Sequence, residues 1–134
     1  MKTVSLKIPS RRSNIKQVEE LLVMVNHDFN LGEDKFTNLL IAVSECVMNA
    51  IVHGNEEKES LYVNVIVNYN ENKIIVKICD EGVGVNLDLA KNPHLPENIL
   101  EDAGRGMFIV KSLIKDVVYH NKKTGSECII TVEK

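Results

Sequence analysis

Apolar and polar residues alternate at the start of the chain, with Val4, Leu6 and Ile8 set against Thr3, Ser5 and Lys7. A period of two predicts a strand, ended by Pro9, which has no amide proton to give a ladder. From Ile15 the period lengthens. Ile15, Val18, Leu21, Leu22 and Val25 recur at helical spacing, with Ser13 or Asn14 placed to cap and Asn30-Leu31-Gly32 placed to break. A longer helix is predicted from about Glu33 to Val52. Phe36, Leu40, Val43, Val47, Ala50 and Ile51 fall on one side of it, and Gly54-Asn55 stops it. Leu61, Val63, Val65 and Val67 then alternate with Tyr62, Asn64, Ile66 and Asn68, which predicts a strand. A turn at Asn70-Glu71-Asn72 leads to a returning strand, Ile74 to Cys79.

Past Asp80 the pattern weakens. Asn86 to Asp102 holds Pro93 and Pro96 and sustains no period, so it reads as a loop with at most a short helical turn. A loop that long in a compact domain is usually functional, often a lid. Gly106 to Ile114 predicts a helix. Val117-Val118-Tyr119 and Cys128 to Val132 predict strands joined by a turn at Lys122 to Gly125. Strand pairs joined by tight turns should be antiparallel. With three helices they predict an α+β, two-layer sandwich with helices on one sheet face. No repeat or linker divides the chain, so residues 1–134 read as a single domain.

Composition narrows the function classes. A chain of 134 residues can bury a real core, and 44% hydrophobic with 26% charged residues is ordinary for a globular protein. A net charge of -3 argues against an electrostatic grip on nucleic acid. Arg11-Arg12 reads as a solvated loop, with partner docking as the alternative. The alternating N-terminus does not resemble a signal peptide, and no apolar run reads as long enough to span a bilayer. Cys46, Cys79 and Cys128 are widely spaced with no CxxC, so buried, reduced thiols are expected. Together these predict a cytoplasmic protein without membrane or direct nucleic-acid contact.

Three segments carry candidate chemistry. Glu45, Asn49 and His53 lie at i, i+4 and i+8, on one helix face away from the core side. The plain alternative is a solvated face, but the stripe has few Lys or Arg and ends in Gly54-Asn55. The Asn49 amide oxygen is a hard ligand suited to Mg²⁺, which in nucleotide sites takes one or two protein ligands. Glu45, one turn away, can deprotonate a hydroxyl or a water. His53 fits a cap on its own helix terminus better than a site role. Asp80 follows an apolar strand and can accept from an amino group such as adenine N6. Gly82 and Gly84 remove Cβ atoms where a base must approach backbone, although a turn after an edge strand has the same composition. Gly104-Arg105-Gly106 is predicted just ahead of a helix. Helix N-termini collect phosphate, and Arg105 can neutralise charge on a transferred phosphoryl group. The alternative there is a hinge. Ser126 adds one hydroxyl near the last strand. Neither a GxxxxGK[ST] loop nor a GxGxxG after the first strand is present.

In this order, the segments resemble the boxes of the GHKL (Bergerat-fold) ATPases, the superfamily of gyrase, histidine kinases and MutL. The likeness is closest to the anti-sigma-factor serine kinases of the RsbW and SpoIIAB type. Val43-Ser44-Glu45 through Asn49-Ala50 and His53-Gly54-Asn55 resembles that branch's N box. Asp80-Glu81-Gly82-Val83-Gly84 resembles its adenine box. Pro93 through Gly104-Arg105-Gly106-Met107-Phe108-Ile109-Val110 resembles its short lid and glycine box. Lys122 to Ser126 is similar to its final box, with Ser126 where Thr is usual. The resemblance implies a mixed, mainly antiparallel sheet and an ATP-dependent serine-protein kinase. It also implies binding of a sigma factor, phosphorylation of an anti-sigma-factor antagonist, and homodimers. It assigns Asn49 to Mg²⁺, Glu45 to the base for the incoming serine, Asp80 to adenine and Arg105 to the γ-phosphate. It adds Gly82, Gly84, Gly104, Gly106 and Ser126 to the nucleotide-binding set. Two weaker readings share the fold: a regulatory module that binds nucleotide and partner without transfer, and an ATPase with water as acceptor.

Overall fold

The computed structural model describes residues 1–82 and 97–134, and for residues 97–103 the backbone alone. The elements in chain order are β1 (Lys2–Pro9), α1 (Ile15–Phe29), α2 (Glu33–Asn49), β2 (Tyr62–Tyr69), β3 (Lys73–Cys79), α3 (Glu97–Leu113), β4 (Asp116–Asn121) and β5 (Ser126–Glu133). The strands form one sheet in the order β1-β2-β3-β5-β4, with every described ladder antiparallel. The mainly antiparallel expectation holds, and no parallel pair occurs among the described residues.

The period-two pattern explains which face is covered. Val63, Val65 and Val67 on β2, Ile74, Val76 and Ile78 on β3, and Cys128 and Ile130 on β5 all point into the core. Val18, Leu22, Val25 and Phe29 of α1 pack with them, as do Leu39, Val43 and Val47 of α2 and Val110 of α3. Truncating one of these buried aliphatics to Ala costs about 2–5 kcal/mol when the site cannot collapse, so this layer fixes the helices that carry the site.

Local chemistry sets the breaks. Asn30 adopts a left-handed conformation (φ 60°) and its N–H donates to the Asn26 carbonyl at 2.8 Å, ending α1. Asn14 occupies the N-cap position, but its amide donates to Pro9 O at 3.0 Å, so the expected side-chain cap is not made. The Asn70 Oδ1 accepts from the N–H groups of Asn72 and Lys73, which closes the β2–β3 turn.

Two expectations change. Helix α2 continues into a π-helical turn, Ala50–Gly54, and the combined Glu33–Gly54 helix has 22 residues and a hydropathy of 1.4. By length and composition it could cross a bilayer, contrary to the expectation. Counting uninterrupted apolar runs missed it because polar residues punctuate the helix. Its buried residues Leu39, Ala42, Val43, Cys46 and Val47 are the centre of the helical layer. The second change is at α3, which begins at Glu97, so Gly104-Arg105-Gly106 lies inside the helix rather than before it. Each glycine costs about 1 kcal/mol against Ala in a helix, a penalty that the flanking helix formers and the burial of Met107 and Val110 outweigh. Val83, Gly84 and the part of the expected lid from Asn86 to Pro96 lie outside the described residues.

Candidate nucleotide-binding site

Glu45 and Asn49 are half-buried, not a solvated face, because α3 packs across them. A Cβ built on Gly106 would stand 3.1 Å from Asn49 Nδ2, 3.2 Å from Asn49 Oδ1 and 3.2 Å from Glu45 Oε2. The two side chains therefore lie side by side against one stretch of bare backbone. Asn49 is also the last α-helical residue before the π-helical turn. Such turns recur at functional sites because they re-aim side chains at a helix end. His53 falls in the last turn of that stretch, as a terminal cap would.

Asp80 is anchored at the end of β3. The residue is 8% exposed. Ser126 Oγ donates to Asp80 Oδ2 at 2.5 Å, Ser126 N–H donates to Oδ1 at 3.1 Å, and Asp80 N–H donates to the Ser126 carbonyl at 3.0 Å. Burial pushes the Asp80 carboxyl above the usual carboxylate range, and the bonds from Ser126 and the Gly82 N–H offset part of that rise. Three glycines make room. A Cβ on Gly54 would lie 2.4 Å from Asp80 Oδ2, one on Gly82 would lie 1.7 Å from the Gly54 carbonyl oxygen, and one on Gly125 would lie 1.9 Å from the Asp80 carbonyl oxygen. Gly125 also needs its freedom, since its φ is +98°.

Asn49, Asp80 and Ser126 line one recess, floored by Cys46, Ile78, Met107 and Cys128. The recess is small, about 10 Å³, with an apolar, sulfur-rich lining beside the Asp80 carboxylate. The thiols fit the expectation for Cys46 and Cys128, which are free and buried with their sulfurs 2.9 Å apart. The contact with Cys128, then burial, pushes the Cys46 thiol well up, so it stays protonated. Cys79 is free but only half-buried, on the other face of the sheet. Grooves of about 700 Å³ lie elsewhere, one beside Lys35, Leu113 and Glu133 and one beside Met1 and Tyr69, away from these polar groups.

Not every predicted residue converges. Gly106 does, through its contact with Asn49 and Glu45. Arg105 is exposed one residue away on α3, and Gly104 faces open space. Gly84 lies outside the described residues. The expected helix-terminus phosphate cradle at Gly104-Arg105-Gly106 is not formed, since amides in the body of α3 are committed to the helical ladder. Gly54 and Gly125, read from sequence as a helix stop and a turn, are structural parts of the Asp80 pocket. Asn55, which the sequence places at the helix stop and the end of the first box without a role of its own, is fully buried. Its signal was the position directly after Gly54 at the end of the first box.

The oxygen donors suit Mg²⁺. Among the described residues no group of three His, Cys, Asp or Glu side chains gathers to hold a metal. An amide oxygen at Asn49 beside the Glu45 carboxylate is the sparse, hard donor set of a cation that shares its shell with phosphates and water.

The chain is similar to several known proteins. RsbW, a serine-protein kinase of Oceanobacillus iheyensis, is 26% identical over 125 residues, covering 89% of this chain and 79% of its own. An anti-sigma F factor of Clostridium perfringens is 33% identical over 100 residues, covering 72% and 71%. In fold, the chain is similar to the RsbU and RsbW domains of a Mycobacterium tuberculosis protein, with a TM-score of 0.71 at 13% identity over 98% of this chain and 32% of that one. The catalytic domain of the histidine kinase ThkA also shares the fold, at a TM-score of 0.56 and 16% identity over 100% of this chain and 98% of that one. Residues 8–132 match the Histidine kinase-like ATPase domain, and the chain belongs to that family.

Proposed function

We propose that this chain is an ATP-dependent serine-protein kinase and anti-sigma factor, which sequesters a sigma factor and phosphorylates a serine on an anti-sigma-factor antagonist. Its relatives named serine-protein kinase RsbW and anti-sigma F factor support the partner classes. The observation that carries the chemistry is the meeting of Asn49, Asp80 and Ser126 in one recess, with Glu45 beside Asn49. In this reading residues 1–134 form one ATP-binding domain. The protein works as a cytoplasmic homodimer and makes no direct contact with nucleic acid or membrane.

Asp80 accepts a hydrogen bond from the adenine amino group while Ser126 holds its carboxylate in place. Asn49 Oδ1, with Glu45 as its neighbour, is the residue that would hold Mg²⁺, which when bound neutralises charge on the phosphates. Gly82 and Gly106 leave room for base and phosphates, and Arg105 reaches the γ-phosphate from the rim. Glu45 takes the proton of the incoming serine hydroxyl as its oxygen bonds to the γ-phosphorus and the bond to ADP breaks. Phosphoryl transfer depends on positioning and charge neutralisation more than on covalent help, and these side chains supply both.

The test is incubation of the purified chain with Mg-ATP and a small antagonist protein, followed by phosphosite mapping. Transfer to serine, lost in Glu45→Ala, is expected. Tight ATP binding with no transfer to any protein would make the chain a nucleotide-binding regulatory module. Phosphate release without a protein substrate would make it an ATPase.

A further inference from the structure

Asn55 is fully buried, polar and unused by the reading above. Its Nδ2 donates to Ser10 Oγ at 2.8 Å and to the Tyr62 carbonyl at 3.1 Å, and its Oδ1 accepts the Glu81 N–H at 2.9 Å. The Glu81 carboxylate in turn accepts the Tyr62 N–H at 2.8 Å. Tyr62, Glu81 and Asn55 thus close a ring of three hydrogen bonds, one link per pair. Ser10 fastens the ring to the end of β1, since its Oγ donates to the Leu61 carbonyl at 2.7 Å. Gly82 is stacked directly on the Gly54 carbonyl, so the backbone on both sides of Glu81 is fixed.

Burying an amide is costly unless every bond is made, and a site needing only bulk is filled more cheaply by an apolar side chain. Here the bonds tie three segments to Asn55: the end of β1, the start of β2 and the residue that follows Asp80. Ser126 holds Asp80 from the β5 side, and the Asn55 ring holds the next residue from the β2 side. A recognition group must stay within about 0.5 Å of its productive position.

We infer that Asn55 is a positioning residue for purine selection: through its ring with Glu81 and Tyr62 it sets the Asp80 carboxylate so that the site prefers a 6-amino purine to a 6-oxo purine. This rests on the nucleotide reading given above. An acceptor held in place gains a bond from adenine and faces the carbonyl of guanine, so discrimination depends on its exact placement.

The experiment measures Mg-ATP and Mg-GTP dissociation constants by calorimetry on the full chain and on Asn55→Ala and Glu81→Ala, with thermal midpoints alongside. Glu81 is exposed, so its truncation opens the ring without a core cavity. Expected results are a fall of about tenfold in the ATP-over-GTP preference for Asn55→Ala and of about threefold for Glu81→Ala, the latter with an unchanged midpoint. A purely structural Asn55 would lower the midpoint and leave the preference of the folded fraction intact. If Asn55→Ala does not fold, Glu81→Ala decides alone. A preference within experimental error of the parent in every folded variant overturns this inference. No ATP binding by the parent chain overturns the nucleotide reading instead, and this inference with it.

Discussion

Asp80 shares a recess with Asn49, Glu45 lies beside Asn49, and the fold sets the two carboxylates in opposite ways. Asp80 is buried, held by Ser126 through side chain and backbone, and boxed in by Gly54, Gly82 and Gly125. Glu45 is half-buried on a helix face, with Gly106 and Asn49 as neighbours. The difference fits the work proposed for each. A group that recognises a base gains from rigidity and desolvation, which strengthen one hydrogen bond and penalise the wrong partner. A group that accepts a proton from an incoming hydroxyl must be reachable and ionised.

The contrast breaks most violently at Gly82. A methyl there would sit 1.7 Å from the Gly54 carbonyl oxygen, and neither partner is a flexible side chain. Gly82→Ala is expected to abolish measurable ATP binding and to lower the thermal midpoint, as read by calorimetry. Unchanged binding would show that the Asp80 pocket is not built on this contact.

Next in size is Glu45. Glu45→Gln keeps the shape and removes the base, so kcat for transfer to the antagonist should fall by about 10²–10⁴, the usual worth of general-base catalysis. The dissociation constant for Mg-ATP should stay within about twofold. A fall in affinity equal to the fall in rate would place Glu45 on the binding side of the comparison.

Asp80 should show the reverse split. Its folded pKa lies above the unfolded value of 3.8, so the folded state favours the protonated form. Ionised Asp80 therefore costs stability, a cost absent below the unfolded value, growing as pH rises towards the folded one, and constant above it. Asp80→Asn should leave the midpoint at pH 7 unchanged or raised, while ATP affinity falls by about 10²-fold. In the parent, ATP affinity should decline on acidification through the raised value, and it should do so at a higher pH than for an ordinary carboxylate. A titration flat down to pH 4 would mean that the carboxylate does not touch the base.

How much of this was legible in sequence depends on what each signal measures. Alternation at Val63, Val65 and Val67 and the helical spacing of Val18, Leu22 and Val25 report burial directly, and the sheet and its helices follow from them. Glu45 and Asn49 were legible because one helix carries both. Asn55 was not, because its partners Ser10, Tyr62 and Glu81 come from three other segments, and only the fold brings them together. The start of α3 was misread because Gly104 and Gly106 look like helix breakers, whereas in a helix with a buried face they are affordable penalties. The same glycines were read as a phosphate cradle, a role that needs free amides at a helix terminus.

Those two glycines offer the finest test, since they sit two residues apart with opposite surroundings. A Cβ at Gly106 meets Asn49 and Glu45 at 3.1–3.2 Å, so these side chains must give by a few tenths of an ångström. A Cβ at Gly104 meets nothing within 4 Å. Gly104→Ala should therefore stabilise the protein by up to ~1 kcal/mol, a rise in midpoint of about 2–6 °C, with transfer rates unchanged. Gly106→Ala draws on the same helix propensity but displaces Glu45 and Asn49, the proposed base and cation ligand. Its midpoint should move little, while kcat drops several-fold and ATP affinity barely changes, because the contact falls on the Glu45 and Asn49 side of the cleft and not on Asp80. Equal kinetics in the two variants would mean that Gly106 is only a packing residue and that α3 does not shape the transfer end of the site.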